Sequence, residues 1–175
     1  MRTLHLIALL SATALIAGCG GSVSVNDKGQ VAVGAKTLDV ASIPFTLRYP
    51  VAFQEATDAS VRAAHAVAIV GVPGEDSYIA VHLNGETTMS LDTLAAQARR
   101  GLGASVISTA RETHAGIPMV AVTTHVSGRP DLRATMYGFS AGSGTWLIEC
   151  RSNAGNRDSM KHWCAQALDS LKLRS

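Results

Sequence analysis

Apolar residues recur at helical spacing in two segments of the chain, which predicts two amphipathic helices. In the first segment they are Leu91, Leu94, Ala95, Ala98 and Leu102. Ser90 precedes this segment and can cap it, and Gly101 or Gly103 ends it. In the second segment, which begins near Asn156 or Asp158, they are Met160, Trp163, Cys164, Ala167, Leu168 and Leu171. We therefore expect one helix after residue 90 and another near the end of the chain.

Shorter segments alternate apolar and polar residues or are almost entirely apolar, as β-strands are. They cover residues 45–49, 67–72, 78–83, 106–112, 119–126, 132–139 and 145–150. Turn-forming residues separate several of these segments, at 73–76, 113–116, 128–131 and 140–144. Because loops this short join antiparallel neighbours, the order β-β-β-α-β-β-β-β-α predicts an α+β domain, an antiparallel sheet with helices packed on it.

The start of the chain has the pattern of a secretory signal peptide. Arg2 gives a basic start, residues 4–16 form a mostly apolar run, and small residues follow. The run is shorter than the about 20 apolar residues that a membrane-spanning helix needs. The chain resembles the lipobox of bacterial lipoproteins at Leu15-Ile16-Ala17-Gly18-Cys19. This resemblance implies cleavage before Cys19 and a diacylglyceryl group on its thiol, with an added acyl chain such as palmitate. An ordinary signal peptide that ends beside a cysteine is the alternative.

This interpretation divides the chain into three parts. Residues 1–18 are the cleaved signal peptide, residues 19–42 are the lipidated cysteine and a flexible tether, and residues 43–175 are the folded domain. Within the tether, two short alternating runs flank a turn signal and could pair as a hairpin between residues 23 and 33. A hairpin of two isolated strands is only marginally stable in water.

The composition is that of an ordinary globular domain. Hydrophobic residues make up 47% of the chain but aromatic residues only 5%, so aliphatic side chains must form most of the core. The formal net charge is +2, and one of the positive charges belongs to the signal peptide. This near-neutral balance argues against a nucleic-acid partner.

The cysteines fall into one single residue and one pair. Once Cys19 is assigned to the lipid, Cys150 and Cys164 remain. An exported protein meets an oxidising compartment, where an even number of cysteines favours a disulfide. The bond would join the last strand to the apolar face of the closing helix. A metal site is the alternative, but only His162 lies near the pair in the sequence, so we predict neither a metal nor a cofactor.

A second resemblance concerns the folded domain. Phe45, Tyr49, Pro50 and Phe53 are similar to the opening motif F-x-x-x-Y-P-x-x-[FW] of PsbP-like domains. This fold is shared by a photosystem accessory protein, a Ran-binding Mog protein and bacterial envelope lipoproteins of the LpqN and DcrB types. The resemblance covers roughly residues 43–171. It implies that the motif residues pack and turn the first strand, and that the domain serves in binding or assembly, because the fold itself implies no reaction.

One sequence motif suggests catalysis. Residues 138–142 match G-x-S-x-G, the nucleophile elbow of serine hydrolases, with Ser140 as the nucleophile. That elbow needs a helix after the serine, whereas a second strand follows here. Asp158 and His162 come later in the chain, but the intervening strand would hold them roughly 17–20 Å from Ser140. We therefore predict no catalytic residues.

The remaining titratable residues show no pattern of a site. The histidines lack the spacing that places two metal ligands on one face, although His82 and His125 could meet across the sheet. Glu112 and Glu149 stand alone on their predicted strands.

Together these features predict a lipid-anchored, extracytoplasmic protein of the cell membrane or outer membrane. We expect it to bind a protein or another envelope component without catalysing a reaction. The alternatives are a serine hydrolase that uses Ser140 and a carrier of a small apolar or metal ligand between sheet and helix.

Overall fold

The computed structural model describes residues 24–25, 31–32 and 34–174, so the predicted signal peptide and the proposed lipid site Cys19 lie outside the described residues. The chain divides into two units, Met1–Ala32 and Val33–Ser175. In the first unit, strands β1 (Ser24–Val25) and β2 (Val31–Ala32) pair antiparallel. The sequence analysis left it undecided whether the two short runs between residues 23 and 33 pair as a hairpin, and in the structure they do pair.

The described part of the second unit contains ten strands and three α-helices. The strands are β3 (Ala35–Leu38), β4 (Phe45–Pro50), β5 (Gln54–Glu55), β6 (Ala68–Gly71), β7 (Tyr78–Gly85), β8 (Val106–His114), β9 (Ile117–Val126), β10 (Arg129–Ala141), β11 (Gly144–Ser152) and β12 (Lys172–Leu173). The helices are α1 (Asp58–Ala63), α2 (Leu91–Leu102) and α3 (Arg157–Asp169), and a 3-10 turn (Gly103–Ser105) follows α2. Within the described chain, no helix has the length and apolar character to cross a membrane.

The strands form two antiparallel sheets, which confirms the predicted α+β class. A seven-stranded sheet has the order β5-β6-β7-β11-β10-β9-β8, and a three-stranded sheet has the order β12-β4-β3. Strand β3 lies inside the segment 19–42 that the sequence assigned to a tether. It pairs with β4 and buries Leu38, so the ordered sheet begins before Ile43.

The seven-stranded sheet has two different faces. On the first, which we call the core face, alternate residues such as Val81, Trp146 and Ile148 are buried together with β4 and α3. Phe45 of β4 packs there against Phe139 at 5.3 Å and against Trp146 at 5.6 Å between ring centroids. Helix α2 lies on the opposite face, over β8, β9 and β10. We call this second face the α2 face.

The predicted disulfide is present and attaches α3 to the sheet. Cys150 of β11 bonds to Cys164 of α3, with 6.1 Å between their Cα atoms. The predicted apolar face of α3 is buried around the bond at Met160, Ala167 and Leu168. Strand β11 and helix α3 are thus joined by a covalent bond inside the core.

The motif that resembles PsbP-like domains packs the start of the domain. The buried Tyr49 hydroxyl donates to Glu55 Oε1 at 2.8 Å, which connects β4 to β5. Burial, followed by the hydrogen bond to Glu55, raises the pKa of Tyr49 to about 12. Phe53 is fully buried, and its ring is perpendicular to that of Trp163 on α3, with 5.1 Å between the ring centroids. These residues therefore tie the first strand to both the sheet and the closing helix.

Candidate functional site

A cluster of four polar side chains occupies the α2 face beside the helix. Alternation along β11 places Glu149 and Arg151 on this face, and alternation along β7 places Tyr78 and His82 there. Strands β7 and β11 are neighbours, with Tyr78 opposite Arg151 and His82 opposite Leu147. The register of these two strands therefore brings all four side chains together.

Glu149 is the centre of this cluster. Its Oε1 accepts from Arg151 Nε at 3.0 Å and from the Tyr78 hydroxyl at 3.3 Å. Arg151 also lies over the Tyr78 ring, with Cζ 4.7 Å from the ring centroid, in a cation–π contact. His82 Nε2 lies 3.3 Å from Glu149 Oε2 but makes no hydrogen bond, while its Nδ1 donates to the His65 carbonyl oxygen at 3.3 Å. The carboxylate is therefore enclosed by groups of the protein itself.

The electrostatics favour an ionised carboxylate. Burial alone would raise the pKa of Glu149, but the adjacent His82 and Arg151 outweigh burial and lower the pKa. Burial, followed by the negative charge of Glu149, raises the pKa of the Tyr78 hydroxyl. The cluster therefore combines an ionised carboxylate with a protonated phenol.

An apolar cavity lies next to this cluster. Its volume is about 230 Å³, and it lies between α2 and strands β7, β9, β10 and β11. Leu147 in its wall is opposite His82, and Met136 is opposite Glu149, so the polar cluster borders the cavity. A Cβ at Gly138 would lie 3.4 Å from Leu94 Cδ1 and 3.2 Å from Leu147 Cδ2. Glycine at this position lets the helix and the sheet approach closely at the edge of the cavity.

A second recess lies on the other flank of α2. It has a similar volume of about 220 Å³, but its lining includes Asp92, Arg99 and Arg111. Asp92 and Arg111 form an exposed ion pair that links the first turn of α2 to β8. The two flanks of α2 thus present recesses of similar size, one without charged side chains and one with three of them.

His114 forms a second polar cluster, on the core face. Its Nδ1 donates to Asp169 Oδ1 at 2.7 Å, and its Nε2 donates to Glu112 Oε2 at 3.0 Å. The Tyr137 ring is perpendicular to the His114 imidazole, with 5.7 Å between the ring centroids. Asp169 is the last residue of α3, where the helix dipole disfavours a negative charge. The imidazole therefore links the end of α3 to the tip of the β8–β9 hairpin.

We predict that this link is pH-dependent. Burial alone would lower the pKa of His114, but hydrogen bonds to Asp169 and Glu112 raise it above 6.5. The protonated form thus stabilises the fold fully below about pH 6.5, and this contribution is lost as pH rises through the raised pKa. His114→Gln should lower the free energy of unfolding by up to about 1 kcal/mol near pH 5.5 and by less near pH 8.5. Urea unfolding at both pH values measures the difference.

The exposed His125 on β9 provides the control for this prediction. His125→Gln should change the free energy of unfolding equally little at both pH values. A His114→Gln cost that is the same at both pH values, or larger at the higher one, would contradict the assigned link.

The structure separates the residues that suggested catalysis. Ser140 lies in the β10–β11 hairpin, opposite Thr145, and its hydroxyl donates to the Met89 carbonyl oxygen at 3.1 Å. Asp158 and His162 lie on α3, and α3 is bonded to the far end of β11. A strand follows the turn after Ser140, so the strand–turn–helix geometry of a nucleophile elbow is not formed there.

The histidines do not meet across the sheet. His82 is on β7 and His125 on β9, and strands β11 and β10 lie between them. Across residues 34–174, no group of three or more His, Cys, Asp and Glu side chains is placed to hold a metal ion. The idea of a His82–His125 pair is therefore wrong.

Sequence reasoning missed the cluster, and it assigned no residues to a cavity, although a ligand held between sheet and helix was one of its alternatives. Glu149 and Arg151 two positions apart, and Tyr78 and His82 four positions apart, indicate shared faces within each strand. The missing information was that β7 pairs with β11, its neighbour in the sheet but not along the chain. Without that pairing, Glu149 looked like an isolated carboxylate.

Comparisons with known proteins support the fold. No family model and no curated protein matches the sequence. The solution structure of cyanobacterial PsbP (CyanoP) from Synechocystis sp. PCC 6803 is similar with a TM-score of 0.58 and 10% identity, over 90% of this chain and 98% of that one. A crystal structure from Bacteroides thetaiotaomicron VPI-5482 is similar with a TM-score of 0.56 and 10% identity, over 80% of this chain and 48% of that one. The fold is therefore PsbP-like, as the motif predicted.

Proposed function

We propose that this chain is a lipid-anchored protein of the cell envelope that acts by binding a protein or another envelope component, without catalysis. The lipobox-like sequence that ends at Cys19 supports the anchor. The disulfide between Cys150 and Cys164 supports an oxidising, extracytoplasmic location. Two or more attached acyl chains would hold the protein stably at a membrane, since one chain alone binds only weakly.

The observation that carries the binding function is the α2 face. It combines an apolar cavity with hydrogen-bonding side chains at one border, which is the usual composition of a binding site. Two of the polar groups that could serve catalysis already have hydrogen-bond partners in the protein: Glu149 accepts from Arg151, and Ser140 donates to a backbone carbonyl. Groups satisfied in this way support a structural role, because a catalytic group must reach its substrate.

A carrier of a small apolar ligand is the second candidate. The specific observation in its favour is the cavity itself, which lies between sheet and helix, where such a ligand would be held. Binding of a protein partner and carriage of a ligand would both use the α2 face, and they differ in what is captured there.

Crosslinking in living cells tests the proposed function. A photo-crosslinking amino acid at Gln97, an exposed position at the rim of the cavity, should give a specific adduct in the membrane fraction. An alkyne fatty acid should label the full chain, and Cys19→Ala should remove the label and release most of the protein from membranes, because the anchor is lost.

The same crosslinker at the exposed Lys161 of α3 is the matched control and should give no such adduct. Retention of the fatty-acid label in the Cys19→Ala chain would refute the anchor. Equal adducts from both positions, or none from either, would refute binding at the α2 face.

A further inference from the structure

We infer that the cavity under α2 binds a small neutral amphiphile, with an aliphatic tail of about eight carbon atoms and an uncharged polar head. This inference rests on the proposed binding function and names a ligand class for it. Four properties of the cavity carry the inference: its volume, its lining, its rim and the way α2 is held over it.

The volume suits a small molecule. An engineered apolar cavity of about 150 Å³ is known to hold benzene, which has six carbon atoms. At about 230 Å³ this cavity has room for a proportionally larger group, of about eight or nine carbon atoms. It is therefore large enough for a short alkyl chain and small for a folded protein segment.

The lining is aliphatic on both sides. The helix contributes Leu94, Ala98 and Leu102, and the sheet contributes Val122, Met136 and Leu147. No aromatic ring or charged group is among the described residues that line this cavity. Burying an alkyl chain against such a surface removes apolar area from water on both partners, which is favourable.

The rim determines the kind of head group. Its polar side chains are Asn84 and Gln97, both exposed carboxamides that can donate and accept hydrogen bonds. A hydroxyl, ester or amide can bond to either of them. A carboxylate or ammonium group would lose hydration without gaining an opposite charge from the lining. Uncharged heads are therefore favoured.

The opposite flank of α2 shows why this cavity is the apolar site. The recess on that flank has nearly the same volume, but Asp92, Arg99 and Arg111 contribute charged groups to it. Burial of an alkyl chain there would cover charged groups and cost hydration free energy. Size alone would not distinguish the two recesses, whereas their chemistry does.

Helix α2 is held in a way that lets a ligand enter. Leu94 is its one fully buried side chain, while Ala98 and Leu102 are only half-buried. The C-terminal half of the helix thus covers the sheet without being fully packed on it. A small outward shift of that half would open the cavity between Leu102 and Val122.

Methyl NMR with three ligands of one chain length tests the inference. We would use the full chain carrying Cys19→Ala, so that no attached lipid competes for the cavity. Octan-1-ol should shift the Met136 methyl resonance in a saturable way and leave those of the core residues Met119 and Met160 unchanged. Octanoate and octylammonium should bind at least about fivefold more weakly, because the lining offers no counter-charge.

A pair of variants on the same helix provides the control. Ala98→Phe should fill the cavity and weaken octanol binding about tenfold, whereas Ala96→Phe, on the charged flank, should leave it unchanged. Circular dichroism establishes that each variant is folded. If a variant does not fold, the Met136 methyl shift of the protein with the native cavity still tests the inference.

The inference would be overturned if no ligand gave a saturable Met136 shift, if octanoate bound as tightly as octanol, or if a folded Ala98→Phe protein still bound octanol normally. A protein adduct from the Gln97 crosslinker together with no octanol binding would sink the ligand inference and leave the proposed function standing. Octanol binding without any adduct in cells would refute the proposed function and leave the ligand inference standing.

Discussion

Replacing Cys150 and Cys164 together with alanine is expected to lower the free energy of unfolding by about 3 kcal/mol. The disulfide closes a loop with a sequence separation of 14, and its loss lets the unfolded chain sample many more conformations. For a domain of this size, the same change lowers the melting temperature by roughly 10 °C. Thermal and urea unfolding under non-reducing conditions measure both quantities.

A reducing agent provides the matched control for this prediction. It should destabilise the wild-type protein by a similar amount and leave the double variant unaffected, since the variant has no bond to break. Equal melting temperatures for variant and unreduced wild type would be incompatible with a stabilising bond. So would the detection of free thiols at both Cys150 and Cys164 in the unreduced protein.

Phe45→Ala is expected to cost about 3–5 kcal/mol, the usual range for removing a fully packed aromatic ring from a core. The Phe45 side chain is 1% exposed and contacts both Phe139 and Trp146. Its loss would leave a cavity between the three-stranded sheet and the seven-stranded sheet. The cost is a large fraction of the about 5–15 kcal/mol that stabilises a typical domain. Urea unfolding followed by tryptophan fluorescence measures it.

Leu173→Ala is the matched control for Phe45→Ala. Leu173 pairs with Phe45 across β12 and β4 but is 51% exposed, so its truncation should change stability by no more than about 0.5 kcal/mol. If both variants lost similar amounts of stability, the packing of Phe45 would not be what joins the two sheets.

The elements with strong local signals were predictable. Helix α2 has the bounds that its apolar spacing and its Ser90 cap predicted, because both signals are contained within a few consecutive residues. The disulfide could be predicted for a similar reason: setting Cys19 aside leaves a single possible pair. Residues 35–38, in contrast, have little apolar pattern, and they form β3 only because β4 offers an edge to pair with.

The candidate site was not predictable, because it depends on long-range pairing. Glu149 gains two of its neighbours, Tyr78 and His82, from β7, which precedes β11 by about 60 residues in the sequence and is adjacent to it in the sheet. The cavity depends on where α2 crosses the sheet and on a glycine at position 138, and neither has a local signature. Sequence periodicity reports which face a residue occupies, but not which strand lies beside it.

The order of the seven-stranded sheet also determines how it ends. An exposed edge strand offers unpaired backbone groups to any neighbouring chain, which is a route to aggregation. One edge here is β5, only two residues long, and the other is the nine-residue β8, with the charged side chains Arg111 and Glu112 near its end. Short length and charge both discourage the addition of a foreign strand. For a protein concentrated on a membrane surface by the anchor that we propose, such edges would keep neighbouring copies from joining into continuous sheets.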